Sequence, residues 1–249
     1  MLTIFENAEH KNVMFSDLTS GHMVQANQHI IVHNDEAMVL DPGGHKVYSK
    51  LFSGLSDVTP SKNLKHIFFS HQDPDIIASA NAWLMISKAD AYLSELWMRF
   101  IPHFGVDEFV ISRIHPIPDG GTVIELGGAP IKVIPAHFLH SSGNFQLYDP
   151  VSKILYSGDL GASIGADYDV VEDFDKHIEF MEGFHKRYIP CKKALDMWVN
   201  TVAKLDIDMI VPQHGAIFDT PKMSSLFIDW ISNLSCGLDL MGDSFPIPE

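Results

Sequence analysis

Short apolar runs that stop at a polar or glycine-containing turn recur along the whole chain, and they set the expected elements. Leu64-Lys65-His66-Ile67-Phe68-Phe69 reads as a buried strand, and Ile76 through Ile86 as one mostly buried helix. Pro74 lies between them and fixes a turn, because its ring bars strand and helix interiors alike. Upstream, Met23 to His33 and Ala37 to Asp41 read as strands joined by the turn Asn34-Asp35-Glu36, with a helix beginning at His45 and running to Leu55. Downstream come a possible strand at Ala91-Tyr92-Leu93 and a helical stretch from Ser94 to Phe104 that stops near Gly105. Thr122 to Leu126 and Ile131 to Ile134 form a hairpin about Gly127-Gly128, and Phe145 to Tyr148 and Lys153 to Tyr156 flank the turn Asp149-Pro150. Asp173 to Leu205 is helical in pattern, Met209-Ile210-Val211 is a last strand, and a helix over Ser224 to Leu234 precedes a weakly patterned tail. Strands then helix, twice over, predicts two β-rich halves with covering helices. No internal repeat or linker interrupts the pattern, so one domain over residues 1–249 is expected.

Candidate chemistry gathers where these strands end. His71, Asp73 and Asp75 occupy alternate positions of a tight loop and can converge on one point, the usual setting of a metal site on a rigid scaffold. Asp73 and Asp75 would also serve as helix caps. Capping does not account for His71, nor for four further stretches of similar build: Asp41 before Pro42-Gly43-Gly44, His140 after Ile134-Pro135-Ala136, Asp159 in Ser157-Gly158-Asp159, and His214 in Pro212-Gln213-His214-Gly215. In each, an apolar run delivers a ligand-type side chain into a turn of small residues. Together they favour a metal centre.

Composition narrows the class. Hydrophobic residues make up 46% of the chain and charged residues 20%, as in a globular protein with a true core. The formal net charge of −15 opposes binding to nucleic acid or to anionic membrane surfaces. Met1 to Asn7 soon turns polar, so no secretory signal is expected, and no apolar run approaches the roughly 18 residues of a membrane span. Cys191 and Cys236 are isolated, which fits a reducing cytoplasm and argues against a disulfide framework or a thiolate zinc site.

The succession Asp-Pro-Gly after a strand, His-X-X-X-Asp on a loop, a later His, Ser-Gly-Asp and Pro-X-His-Gly resembles the metallo-β-lactamase fold family. That resemblance implies an α/β (α+β) architecture, a four-layer αβ/βα sandwich with a dinuclear metal site at one edge. Hydrolases of the family mostly carry His-X-His-X-Asp-His in the first loop, whereas Asp73 stands here in place of the second His. A carboxylate at that position is similar to the flavodiiron proteins, with their His-X-Glu-X-Asp-His. The similarity runs on through His140-Ser141-Ser142-Gly143-Asn144, Ile154 to Asp159, Arg187-Tyr188-Ile189-Pro190 and Met209 to Gly215. Two departures, Ile76 where the family has a His and no flavodoxin-like FMN domain in this chain, resemble the stand-alone oxygen-binding diiron proteins.

The resemblance implies one metal held by His71, Asp73 and His140, a second by Asp75 and His214, and Asp159 as the bridge. Nitrogen and oxygen donors without thiolate suit two iron ions, with manganese or zinc as alternatives. Ile76 cannot ligate, so the second metal is expected to keep a position open to an outside molecule. With no flavin in the chain to deliver further electrons, a persistent diferric–peroxo species is expected rather than turnover. The function implied is dioxygen sensing, with a cytoplasmic chemotaxis receptor as the suggested partner. The competing readings are an oxygen or nitric oxide reductase served by a separate flavoprotein, a dinuclear zinc hydrolase, and a purely structural binding module. A monomer and a homodimer both remain open.

Other residues are expected to stay outside the centre. His45 reads as a surface residue, His137 as the weaker rival of His140, and Asp41 as a hydrogen-bonding support. Phe138, Phe145 and Tyr148, and the helix residues Trp83, Leu84 and Met85, read as core; His177 and His185 read as solvated.

Overall fold

The computed structural model describes residues 1–248 of the chain. The first sheet follows chain order: β1 (Leu2–Glu6), β2 (His10–Phe15), β3 (Gln28–His33), β4 (Glu36–Leu40), β5 (Leu64–Phe68), β6 (Asp90–Ser94) and β7 (Ile114–Ile117). Its first four strands are antiparallel; from β4 to β7 the pairing is parallel. Parallel neighbours need crossovers. These are supplied by α1 (His45–Val58), the short α2 (Pro74–Ile77) and α3 (Ala80–Ile86), a 3-10 helix over Glu95–Phe104, and α4 (Glu108–Ile111). The second sheet holds β8 (Thr122–Leu126), β9 (Ala129–Pro135), β10 (Phe145–Asp149), β11 (Ile154–Gly158) and β12 (Met209–Pro212), in the spatial order β12-β11-β10-β9-β8. Helices α5 (Phe174–Tyr188), α6 (Lys192–Val202) and α7 (Pro221–Asn233) lie in the second half, and short 3-10 helices occupy Ser61–Asn63 and Gly237–Leu240.

Alternation along the strands sends neighbouring side chains into different cores. Ile30, Val39 and Ile67 meet Val47, Leu51 and Trp83 of the first helical layer. Ile31, Met38 and Leu40, one residue out of step, meet Ile131, Phe145 and Leu147 between the sheets. Leu155 and Ile210 face Leu195, Trp198, Phe227 and Ile231 of the second helical layer. Helix, sheet, sheet, helix: the architecture is the four-layer αβ/βα sandwich that the motifs imply. Among the described residues no helix is long and apolar enough to cross a membrane.

Several boundaries differ from the sequence pattern for physical reasons. The helix expected over 76–86 is broken, because the Ser79 N–H and hydroxyl both donate to the Gly43 carbonyl, at 3.2 and 2.5 Å, and leave the helical ladder. The strand expected from Met23 begins only at Gln28. Before it, the Asn27 backbone N–H donates to Gln213 O at 2.6 Å and its side chain to Pro212 O and Gly215 O, so this segment is clipped to the far sheet. The helical run 173–205 divides at Ile189-Pro190-Cys191, where proline removes a donor and holds Ile189 extended. Met85 is exposed rather than core. His177 and His185 are fully buried, not solvated: the Tyr168 hydroxyl bonds His177 Nδ1, while His185 binds Met181 O and accepts the Gly161 N–H. Burial pushes both imidazoles down to about 4, so they sit in the core as neutral rings.

A buried polar cluster joins the sheets across β2 and β10. Asp149 Oδ2 accepts from His10 Nε2 at 2.7 Å, Asn12 Nδ2 at 2.9 Å and Ser152 Oγ at 2.6 Å. Burial opposes ionisation of this carboxyl, but the bond and charge of His10 outweigh it and hold the group below its ordinary value. Asp149→Ala strands those donors, and urea unfolding at unchanged slope is expected to show a loss of about 3–5 kcal/mol. Because the folded carboxyl is depressed, the contribution is full above the unfolded value of about 3.9 and is lost on acidification below it. A loss in Asp149→Ala no larger than an ordinary surface change would mean that apolar packing alone joins the sheets here.

Candidate metal centre

Four strand ends and two loops carry the candidate residues to one edge of the sandwich. His71 stands three residues past β5, on a turn whose Ser70 N–H donates to Asp41 Oδ1 at 2.7 Å and whose Ser70 O accepts the Phe145 N–H at 2.9 Å. That pair of bonds ties the β4, β5 and β10 ends together. Asp73 occupies the N-cap position of α2, yet its side chain accepts nothing from the helix backbone, so capping is not its role. His140 has φ of 75° and Asp41 φ of 46°, a left-handed backbone that L-residues seldom adopt, and both lie in the site loops. His214 precedes Gly215, whose φ is 79° and where any Cβ would overlap Ser163; only glycine permits that turn.

The side chains converge. Donor atoms of His71, Asp73, His140 and Asp159 all lie within 4.8 Å of one another. His140 Nε2 is 2.9 Å from Asp73 Oδ2 and 3.6 Å from Asp159 Oδ2. Asp159 turns its other oxygen, Oδ1, toward His214 Nε2 at 3.5 Å and His71 Nε2 at 3.9 Å. Asp75 Oδ2 closes the far side, 3.4 Å from His214 Nε2. Four of the candidate donors therefore form one cluster, and His214 and Asp75 adjoin it on the far side of Asp159.

Their outer partners fix their orientation. His214 Nδ1 lies 2.6 Å from the Gln25 carbonyl and must donate to it, which makes Nε2 the nitrogen aimed inward. Ser70 Oγ is 2.9 Å from His71 Nδ1 and is placed to do the same there. Asp159 Oδ1 is buried and has no hydrogen-bond partner, since His214 stands at ion-pair distance without hydrogen-bond geometry. A buried anionic oxygen left bare among inward-facing imidazole nitrogens fits a cation better than it fits any proton. The donor set suits a metal.

Electrostatics of the metal-free site agree with the geometry. Burial opposes protonation of His71, but the Asp159 charge and the Asp73 bond outweigh it and raise the ring to about 9. His214 is raised to about 9 as well, its burial overcome by Asp159, the Gln25 carbonyl and Asp75. Bonds from His140 and His71 hold Asp73 well below the usual carboxylate range. Asp159 is depressed too: burial opposes this, and the charges of His71, His214 and His140 prevail. Burial raises Asp41 to about 6. Protons here stand in for cations.

The residues set aside fall where expected in part. His45 is exposed at the start of α1, and His137 bonds Asp119 O at 2.9 Å, away from the cluster. Asp41 supports Ser70. Phe145 and Tyr148 are buried in the strands, whereas Phe138 is exposed rather than core. The aromatic pair that does reach the site, Phe184 and Tyr188, escaped the sequence reading. Their rings stack at 4.7 Å and 19°, and His140 lies 5.4 Å from Tyr188 and 6.0 Å from Phe184. The signal was present as an i, i+4 aromatic pair on the last turn of a helix.

Comparison with known proteins places this geometry. The profile of the family described as ODP family beta lactamase matches residues 24–215. The chain belongs to the ODP family. Two solved structures of the chemotaxis sensor ODP are similar over nearly the whole of this ODP family chain. One, described as its peroxy diiron species, is 43% identical, covers 96% of this chain and 97% of that chain, and has a TM-score of 0.87. The apo state from T. denticola is 42% identical, covers 96% of each chain, and has a TM-score of 0.86. The rubredoxin oxygen:oxidoreductase of Desulfovibrio gigas, at 15% identity, shares the fold, with a TM-score of 0.77 over 93% of this chain and 61% of that one. An uncharacterized protein of Methanocaldococcus jannaschii is 24% identical over 193 residues, 76% of this chain; the match spans only 48% of that relative.

With His71 and His214 protonated at pH 7, metal uptake by this ODP family chain must displace their protons. Calorimetric titration of the metal-free protein in buffers of different ionisation enthalpy is expected to show proton release at pH 7 that shrinks as pH rises through 9. The protonated pair also stabilises the metal-free fold, fully below the ordinary histidine value and no longer above about 9. A heat of binding independent of buffer at pH 7 would contradict this account of the site.

Proposed function

We propose that this chain holds two iron ions, one on His71, Asp73 and His140, the other on Asp75 and His214, with Asp159 bridging, and that it binds dioxygen as a sensor. One observation carries the reading: His71, Asp73, His140 and Asp159 cluster within 4.8 Å, with His214 and Asp75 beside Asp159, in a chain 43% identical, over 96% of its length, to the chemotaxis sensor ODP. An iron pair would supply the binding of dioxygen or nitric oxide, which no side chain here offers.

The chain's own part is to set donor type, charge and access. Three imidazoles and three carboxylates, with no thiolate among them, make a hard, anionic site that suits iron or manganese by ligand type. Asp159 offers its two oxygens in different directions, one to the His140 side and one to the His214 side, as a bridging carboxylate requires. The Gln25 carbonyl and Ser70 hydroxyl hold two of the imidazoles in the ligating tautomer. Ile76 has a hydrocarbon side chain and is fully buried in the core that holds Val47 and Leu51, so it brings no donor to the Asp75–His214 side. The Phe184–Tyr188 stack gives His140 an apolar wall, a surface compatible with a small neutral diatomic.

The sensor reading extends to a cytoplasmic location and to a chemotaxis receptor as the partner that reads the bound state. Metal analysis after anaerobic purification, then a single pulse of oxygen, tests it. An iron pair per chain and a long-lived visible charge-transfer band are expected. Zinc with no spectral change would overturn it in favour of a hydrolase; sustained NADH-coupled oxygen consumption with an added flavoprotein reductase would overturn it in favour of a reductase. Asp159→Ala, which removes the shared carboxylate, is expected to lose both irons together by metal analysis, not one.

A further inference from the structure

The loop that delivers His140 also walls a surface groove of about 490 Å³, lined by Pro135 to Leu139 on one side and by Pro190, Cys191 and α6 on the other. Its walls are apolar and open. Phe138 is 57% exposed and Met197 63%, large values for side chains in a wall. Lys193 adds one positive charge. His137 Nε2 bonds the Asp119 carbonyl and so carries the proton, which leaves the buried Nδ1 an acceptor without a donor.

The carboxyl-terminal segment sets off from the wall of this groove. Leu238 N–H donates to Pro190 O at 2.7 Å, and Lys192 N–H to Asp239 Oδ2 at 2.6 Å. Gly237, with φ of 52°, lies so close to the Ile189 and Pro190 carbonyls that a Cβ would overlap them. From residue 242 to 248 the chain has no regular structure, and the two large apolar side chains there, Phe245 at 77% and Ile247 at 90%, stand in solvent. Pro246 and Pro248 keep this stretch extended, a form with little entropy left to lose on docking. Extended chain advances roughly 3.3 Å per residue, so Phe245 reaches about 13 Å from Met241, close to the length of α6 at roughly 1.5 Å per residue.

We infer that residues 243–247 are a strap that docks in this groove, with Phe245 and Ile247 packed against Phe138 and Met197. The segment supplies what the groove lacks: apolar side chains for its walls and the Asp243 carboxylate for Lys193. Its anchor at Pro190 and Lys192 makes docking intramolecular, which favours it over any free peptide of the same sequence. Docked, the strap covers Cys191 and presses on the residues immediately before His140.

Thiol labelling of the full chain with Ellman's reagent tests this without any metal. Cys191 reports on the groove, since Cys236 is buried and its thiol is pushed up to about 11 by that burial. A chain shortened at Met241 and the double variant Phe245→Asp, Ile247→Asp are both expected to label several-fold faster than the parent. A synthetic peptide of residues 242–248 is expected to slow the shortened chain again. Both changes lie outside every apolar core, so folding is preserved, which near-ultraviolet circular dichroism of the four tryptophans verifies. Equal rates in all three proteins would overturn the strap. Protection that rises with protein concentration, with a dimer in sedimentation, would also overturn it and assign the groove to a second copy.

Discussion

A carboxylate that is buried and yet left with a bare oxygen is the constraint from which the centre follows. Asp159 lies among three imidazole nitrogens, and its Oδ1 accepts no hydrogen bond. An uncompensated buried charge is among the most expensive features a fold can carry. The surrounding imidazoles answer it in the metal-free protein by holding protons that free histidine would release. Cations answer it better, because two of the imidazoles have outer partners that leave their inner nitrogens free to ligate. Much of the site's geometry is a response to that one residue.

The sandwich is what brings the response together. Parallel pairing of β4 with β5, and of β11 with β12, sends the Asp41, His71, Asp159 and His214 segments to strand ends that share an edge. The sheets are packed through Ile31, Met38, Leu40, Phe145 and Leu147, and this interdigitated layer fixes the distance between donors from different sheets. Bonds at the strand ends then lock the register: the Ser70 carbonyl accepts the Phe145 N–H across the gap while the Ser70 N–H donates to Asp41 beside it, and the Asn27 side chain donates to the Pro212 and Gly215 carbonyls.

Much of this was legible in the sequence, for a definite reason. Strand ends followed by small-residue turns are local signals, and each candidate donor sits on one, so the pattern picked out residues that the fold brings to one edge, four of them with donor atoms within 4.8 Å of one another. Features decided at a distance were not legible. The interruption between α2 and α3 is imposed by the Gly43 carbonyl, 36 positions away. The late start of β3 is imposed by the 212–215 segment. His177 and His185 misled because the residues around them are charged, although the two flank Met181 at helical spacing and the three share a buried face. The Phe184–Tyr188 stack was readable as a pair, but nothing local tied it to His140.

The bond from His214 to the Gln25 carbonyl joins residues 189 positions apart, and its neighbour from Gly215 to the Gln25 side chain spans 190. A chain emerging from the ribosome holds His71, Asp73 and Asp75 early, but these cannot form the centre until β12 has been made and has closed against the first sheet. Contacts of such long sequence separation form late in folding. The order of synthesis therefore acts as a timer on metallation. The centre becomes competent only once β12 is in place, and the chain before it offers passing metal ions fragments of a site with little hold on them.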